Sequence, residues 1–389
     1  MASSCNSCQA PQQETSKSIE VDWSEAGQYQ DFSLDLQTKV GVDRIPTSGT
    51  IEIIENCNFR CIHCYQGMNK SRKMLSGDRW CEIIDELAEA GTLWLLVTGG
   101  EPLLHPDFEQ IYKHAINKGM LVYLFTNARL IKDKHIQLFR EMPPFSIEVS
   151  FYGLSEEMYA QVTGTKNSHA KVIENLKIMK AANLPVSLKS VAFKPLINDI
   201  LKMRSYVQDE LGLKFKFDTK IDPTIYGDSL DSIRPTAEET VALELSIVDE
   251  LDLRKDMLRL KDYNKETVEK SQTAKMLYRC GAGKNSYYID YRGFVNTCAI
   301  GRLNDEKFDL GKHSFLEVWN KSLPGVVYQT VKTKNRVCDS CQFRDICDIC
   351  PATSQIATGD IEGRPQYICQ HTMMRKTKIL ENKMGETYV

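Results

Sequence analysis

No stretch of the 389-residue chain approaches the ~18 consecutive apolar residues that a membrane-spanning helix needs. A basic surplus is missing as well: 49 Lys and Arg stand against 52 Asp and Glu, for a formal net charge of −3. That balance excludes a general nucleic-acid binder, which would carry a positive field. The opening MASSCNSCQAPQQETSKS has neither a charged n-region nor an apolar h-region, so no secretory signal is expected and the cytoplasm is the expected location. No repeat of fixed period is present. Wholesale disorder is excluded by 42% hydrophobic residues, and the length is enough for two or three domains with real cores.

What the chain does have is cysteine, thirteen in all. In a reducing compartment, clustered thiols mean metal or catalysis more often than disulfides. Cys57, Cys61 and Cys64 form C-x3-C-x2-C. Downstream come Cys280 and Cys298, then Cys338, Cys341, Cys347 and Cys350, then Cys369. Cys5 and Cys8 form a C-x2-C pair in a polar segment expected to be a loose tail, with a short strand or helix near Ile19–Leu36. Cys81 falls in Trp80-Cys-Glu-Ile-Ile-Asp-Glu-Leu87 and reads as a core thiol on an apolar helical stripe.

From Gly49 onward, β-prone runs alternate with amphipathic ones. Strands are expected at 51–55, 93–98, 121–126, 146–151, 186–192 and 215–219. Helices are expected at 77–89, 108–117, 132–139, 170–182 and 199–210. Strand alternating with helix implies parallel βαβ units wound in one sense. Six strands make a partial barrel, short of the eight that close one. The expected organisation is a tail (1–48), the partial α/β barrel (49–225), a helical linker (226–279) in which the capping box Thr236-Ala-Glu-Glu239 opens a helix, and a loop-rich, cysteine-dense region (280–389) with a short strand at Ser286–Asp290.

The first cysteine group follows the first strand directly, and loops at the C-terminal ends of barrel strands form the site in such folds. Three thiolates on one short loop can wrap one face of a four-iron cube and leave one iron open. Structural zinc would want a fourth ligand, and only His63, wedged between two of the three, is near in sequence.

This loop resembles the signature of the radical S-adenosylmethionine (SAM) superfamily, and other marks follow in order. Gly99-Gly100-Glu101-Pro102 ends the second strand, Thr126-Asn127-Ala128 the third, and Ser150 the fourth; Lys189 lies on the fifth. The resemblance implies that Gly99 to Pro102 hold the SAM amino group, with the Glu101 carboxylate accepting from the ammonium. It implies that Ser150 meets the ribose, that Lys189 makes a polar contact to SAM and that His63 lies against the adenine. The C-terminal cysteines resemble the SPASM extension of these enzymes, together with Cys280-Gly-Ala-Gly283, Phe315-Leu-Glu-Val-Trp319 and Cys350-Pro-Ala352. By that resemblance Cys280, Cys298 and Cys350 hold one auxiliary cluster and Cys338, Cys341, Cys347 and Cys369 another. The gap before Cys350 has two residues where the family often has three.

Two fully ligated cubes need eight donors and the extension offers seven, so one auxiliary iron is left to a non-cysteine group, to Cys5 or Cys8, or to a soft ligand such as a substrate thiolate. The resemblance therefore implies a maturase of ribosomally made peptides that forms a thioether or similar crosslink, using SAM and three iron–sulfur clusters. An external flavodoxin or ferredoxin is implied as reductant. Some relatives grip the precursor's leader with an N-terminal module; the short segment here points to a separate leader-binding protein, a reduced element or the barrel itself. Formylglycine-forming sulfatase maturases carry an Asp where this chain has Ala299, which counts against that activity. Dehydrogenation or epimerisation of a sugar or peptide stays open, as does a non-catalytic metal-bound peptide scaffold. Asp290 and Asp222 are candidate bases; without such a role they read as solvated loop carboxylates.

Overall fold

The computed structural model describes residues 39–67, 74–247, 277–328, 338, 341, 343 and 347–385. The expected element near Ile19–Leu36, the Cys5/Cys8 pair and the lysine-rich stretch of the linker lie outside the described residues. No described helix is long and apolar enough to cross a membrane.

Eight strands form one sheet: β1 (Ser48–Glu52), β2 (Trp94–Thr98), β3 (Leu121–Thr126), β4 (Ser146–Ser150), β5 (Val186–Val191), β6 (Lys214–Asp218), β7 (Ser286–Ile289) and β8 (Val295–Asn296). Their order is β6-β5-β4-β3-β2-β1-β7-β8, with every pair parallel except β7/β8. The first six strands are the expected (β/α)6 partial barrel, and the cysteine-rich C-terminal segment extends its sheet with two more.

The helices are α1 (Gly77–Glu89), α2 (Phe108–Asn117), α3 (Asp133–Glu141), α4 (Glu156–Thr163), α5 (His169–Ala181), α6 (Ile200–Ser205) and α7 (Ala237–Leu245), the last packed against the C-terminal helix. They are followed by α8 (Pro351–Thr358) and α9 (Gln366–Gly385). α1 shows why they form. Ser76 caps it by accepting from the Arg79 amide, and Trp80, Ile83, Ile84 and Leu87 recur at helical spacing and are fully buried. Each such burial contributes roughly 1.5–3 kcal/mol. Truncating Ile84 to Ala would cost about 2–5 kcal/mol. Cys81 lies about 100° around α1 from Trp80. It is therefore half-buried beside Gln110 rather than part of the core stripe, which corrects the expectation from sequence.

Each barrel strand reads alternately outward and inward. Ile51, Leu95, Val97, Val122, Leu124, Ile147, Val149 and Leu188 are fully buried, packed under the helices. Thr50, Leu96, Thr98, Phe125, Ser150 and Lys189 face the barrel interior, where a cavity opens. β7 lies against β1 because Gly49 leaves room for Tyr287; a β-carbon at Gly49 would sit 2.2 Å from the Tyr287 hydroxyl oxygen. Phe315 and Trp319 pack on Tyr287 in turn, with ring centroids 4.7 and 6.1 Å away, so the Phe-Leu-Glu-Val-Trp segment locks the added strands onto the barrel.

Candidate active site

The C-terminal strand ends surround a cavity of about 580 Å³. Cys57, Cys61, His63 and Cys64 line it from the loop after β1, Gly99 and Gly100 from the loop after β2, and Thr126 and Asn127 from the end of β3. Ser150 and Lys189 line it from β4 and β5, and Thr297 and Cys298 from the segment after β8. All the residues expected at the SAM site reach this cavity except Glu101 and Pro102.

Those two sit behind its wall. Glu101 is fully buried, and its carboxylate accepts from the Thr126 hydroxyl at 2.7 Å, the Asn127 amide at 2.7 Å and the Leu103 amide at 3.2 Å. Burial pushes its pKa up to about 7, against the pull of these donors. It is a strut joining the β2 and β3 loops, rather than a free acceptor aimed into the cavity. The two glycines are required by close packing: β-carbons at Gly99 and Gly100 would meet the Ile54 and Glu55 carbonyl oxygens at 2.5 and 2.2 Å. Without side chains there, the Gly100 amide donates to Ile54 O at 2.6 Å and the Glu101 amide to Asn56 O at 2.9 Å, clamping the start of the cysteine loop.

The far side of that loop leans on α4, a helix the sequence pattern did not suggest. The Arg60 amide donates to Thr163 O at 2.7 Å and the Ile62 amide to Val162 O at 3.0 Å. Asn127 donates to the Asn58 side chain at 2.8 Å and lies 3.8 Å from the Cys57 sulfur, which also accepts from the Phe59 amide at 3.4 Å. These donors suit a thiolate.

His63 stacks on Phe193 at 4.7 Å and meets Tyr152 edge-on at 4.8 Å. Burial lowers its pKa to about 4, so the imidazole is neutral at pH 7, and its Nδ1 is buried without a protein partner. An orphaned ring nitrogen on the cavity wall fits a bound ligand that supplies the missing hydrogen bond. Lys189 lies over Phe125 and 3.7 Å from Glu148; burial draws its pKa down to about 7.

A buried polar network under the cavity escaped the sequence reading. Glu52 on β1 accepts from Tyr288 at 2.9 Å, from Arg302 at 2.8 Å and from Gln66. Tyr65 lies 3.3 Å from the Tyr288 hydroxyl. Arg302 is held firmly charged by Tyr288 and Glu52 against its own burial, while burial raises Glu52. The network ties the end of the first cysteine loop to the loop that carries Cys298. The signal for it, a glutamate, two tyrosines and an arginine spread over 250 positions, is visible only once β7 pairs with β1.

Asp290 is fully buried rather than solvated. Arg292 pairs with it at 2.7 Å and Arg302 at 3.6 Å, because the β7–β8 turn folds back onto the sheet. Asp222 is also withdrawn from solvent. It accepts from the Tyr367 hydroxyl at 2.9 Å and lies 3.5 Å from Lys220, and it borders the main cavity.

The C-terminal thiols separate into two sets. Cys338, Cys341, Cys347 and Cys369 line one small cavity of about 50 Å³ with Phe343, Ile349, Ile368 and Met373. The thiol of Cys298 feels those of Cys350 and Cys280, although burial is the main reason its pKa is raised. Among the described residues, no three His, Cys, Asp or Glu side chains converge on a position for a single metal ion. Three thiols spread over the wall of a roomy cavity fit the corners of a multi-iron body better than one tetrahedral ion. The all-sulfur donor set, the orphaned His63 nitrogen and the cavity's size thus fit an iron–sulfur cube with a small-molecule ligand beside it.

The family model described as Radical SAM superfamily matches residues 51–202. The chain is 25% identical over 313 residues to the PqqA peptide cyclase of Bradyrhizobium diazoefficiens, covering 78% of this chain and 80% of that protein. It is 24% identical to the AdoMet-dependent heme synthase of Methanosarcina barkeri, over 82% of this chain and 95% of the relative. Among solved structures, Streptococcus suis SuiB bound to its precursor peptide SuiA superposes with a TM-score of 0.67 at 17% identity, covering 90% of this chain and 83% of SuiB.

Proposed function

Because this chain carries a radical SAM domain, we infer that it is a peptide maturase of the SPASM type, one that takes hydrogen from a ribosomally made precursor peptide and forms a thioether or similar crosslink at a cysteine. The observation that carries this reading is the shared cavity: Cys298 opens onto the same space as Cys57, Cys61 and Cys64. A peptide carbon at one end and a peptide sulfur at the other would lie within one enclosure.

Cys57, Cys61 and Cys64 are the residues that would hold the [4Fe-4S] cluster, with His63, Gly99, Gly100, Thr126, Asn127, Ser150 and Lys189 around SAM. Cys280, Cys298 and Cys350 would hold one auxiliary cluster, and Cys338, Cys341, Cys347 and Cys369 the other. When bound, the barrel cluster supplies the electron that splits SAM into methionine and a hydrogen-abstracting 5′-deoxyadenosyl radical. The chain's own work is orientation and exclusion of water. The Gly100 and Glu101 amides and the α4 carbonyls fix the cysteine loop, and His63, stacked on Phe193 and edge-on to Tyr152, walls off one side. In the overall balance, one peptide C–H bond and one S–H bond give way to a C–S bond. The hydrogen atom would leave to 5′-deoxyadenosyl and the thiol proton to a base, and an auxiliary cluster held by Cys280, Cys298 and Cys350 would supply the acceptor for the remaining electron.

An Asp in place of Ala299 would favour formylglycine chemistry; Ala299 borders the cavity and offers no base. A flavodoxin or ferredoxin reductant, a separate leader-binding protein and a cytoplasmic setting complete the proposal. Reconstitution with iron and sulfide without oxygen, followed by dithionite and SAM, tests it. The expected result is 5′-deoxyadenosine, and loss of two hydrogens from a cysteine-bearing precursor encoded beside this gene. Full iron content with no 5′-deoxyadenosine would instead favour the non-catalytic scaffold.

A further inference from the structure

Cys350 is the N-cap residue of α8, and its sulfur accepts from the Thr353 amide at 3.4 Å. The fully buried Thr353 hydroxyl lies 3.2 Å from the same sulfur. The Lys220 ammonium reaches that hydroxyl oxygen at 3.4 Å. As a cluster ligand Cys350 would be a thiolate with no proton to give the hydroxyl; Thr353 would then accept from Lys220 at its oxygen and turn its hydrogen to the sulfur, so the three groups would form a chain of donors ending on Cys350. Each link polarises the next. Lys220 stays charged although it is largely buried, because the Asp222 carboxylate is 3.5 Å away, and that carboxylate is itself fixed by Tyr367. The positive end of the α8 dipole points the same way.

Hydrogen bonds to cluster sulfurs and nearby positive charge favour the more negative, reduced state of an iron–sulfur centre. We propose that Lys220 and Thr353 are positioning residues that raise the reduction potential of the Cys280/Cys298/Cys350 centre, making it the acceptor of the electron left on the substrate. This rests on the reading that those three cysteines hold a cluster. Lys220 and Cys298 both line the main cavity, the space the substrate would occupy.

The test is a redox titration followed by electron paramagnetic resonance on the full chain, reconstituted without oxygen. The auxiliary signal is assigned by its loss in Cys298→Ala. In Lys220→Met and Thr353→Val its midpoint should move to more negative potential, while Lys220→Arg and Thr353→Ser stay near the parent value. The midpoint of the barrel centre should not move in any of the four. An unmoved auxiliary midpoint in Lys220→Met, or an equal shift at both centres, overturns the proposal. If Thr353→Val loses iron, Lys220→Met and Thr353→Ser still decide it. A Cys298→Ala protein with unchanged iron and spectrum would instead sink the cluster assignment itself.

Discussion

The barrel thiols and the Cys338/Cys341/Cys347/Cys369 set treat the same element in opposite ways. The first line a cavity of about 580 Å³ shared with two glycines, two lysines, three serines and an asparagine; the second close on about 50 Å³ among Phe343, Ile349, Ile368 and Met373. An open, polar surround admits a small molecule and lets bonds change beside the cluster. A tight apolar one has no room for substrate and suits electron storage and cross-linking of the fold. Cys280, Cys298 and Cys350 stand between: Cys298 borders the open cavity, while Cys350 is tucked under a helix start.

The contrast breaks most decisively through the cysteines. Cys57→Ala should drop 5′-deoxyadenosine formation to background, a loss of at least ~10⁶-fold if the chemistry is enzymatic in scale. Cys338→Ala should keep SAM cleavage and lose iron and thermal stability instead. Cys298→Ala should spare SAM cleavage and lose peptide modification. Assays of 5′-deoxyadenosine, iron and peptide mass on the three variants check this. Abolished cleavage in a Cys338→Ala protein that retains its barrel cluster would erase the distinction.

Glu101 sharpens the contrast by showing what holds the open site open. Glu101→Gln keeps the shape but turns one acceptor oxygen into a donor facing Thr126 or Asn127, at a cost of about 1–3 kcal/mol. The sign of its pH dependence follows from a carboxyl pKa raised from 4.5 to about 7 on folding. The folded state holds this proton more tightly, so the stabilisation is full below pH ~4.5 and fades as pH climbs through ~7, by up to about 3 kcal/mol. Over that window the urea unfolding midpoint of the parent should fall relative to that of Glu101→Gln, which lacks the titrating carboxyl. A parallel decline in both proteins would remove Glu101 as its source.

A smaller effect is expected at His63. Replacing it with Ala removes a stacked ring and should weaken SAM binding roughly 2–10-fold, the scale of about 0.5–1.5 kcal/mol for aromatic pairs. His63→Phe should keep the stacking but lose the Nδ1 hydrogen bond, so it should bind SAM more tightly than His63→Ala and less tightly than the parent. Equilibrium dialysis with labelled SAM separates the two, and an unchanged affinity in His63→Ala would take the ring off the ligand.

The barrel was legible because its signals are local. The bounds of α1 and α2 match the helical periodicity, and β3 matches its apolar run. β1 begins at Ser48 rather than Ile51 because pairing with Trp94 and Ser286, not side-chain propensity, recruits Ser48 and Gly49. α4 is short and weakly amphipathic, capped by Ser155 and closed by Gly164 in a left-handed turn, so its periodicity is too weak to stand out from loop in the sequence. The cysteine spacing marked the thiols of the site. Their supports (α4, Glu52, Tyr288, Arg302, Phe193) are brought in by pairings tens to hundreds of residues apart, which no local pattern records.

Ala128 is where the β3 turn departs from the glycine usual in the resembling motif, and it gives the smallest expected change. Its φ is +58°, in the left-handed region, at a cost of roughly 1–2 kcal/mol for a residue with a β-carbon. Its methyl is fully buried, which returns about 0.8 kcal/mol. The Asn175 amide also donates to Ala128 O at 2.7 Å and pins the turn from outside, so the conformation survives without glycine. Ala128→Gly should therefore change stability by less than about 1 kcal/mol and leave SAM binding intact, as chemical denaturation and dialysis would record. A large loss would mean that the methyl packs the floor under Asn127 and Cys57. The open site would then depend on buried packing as much as the sealed one does.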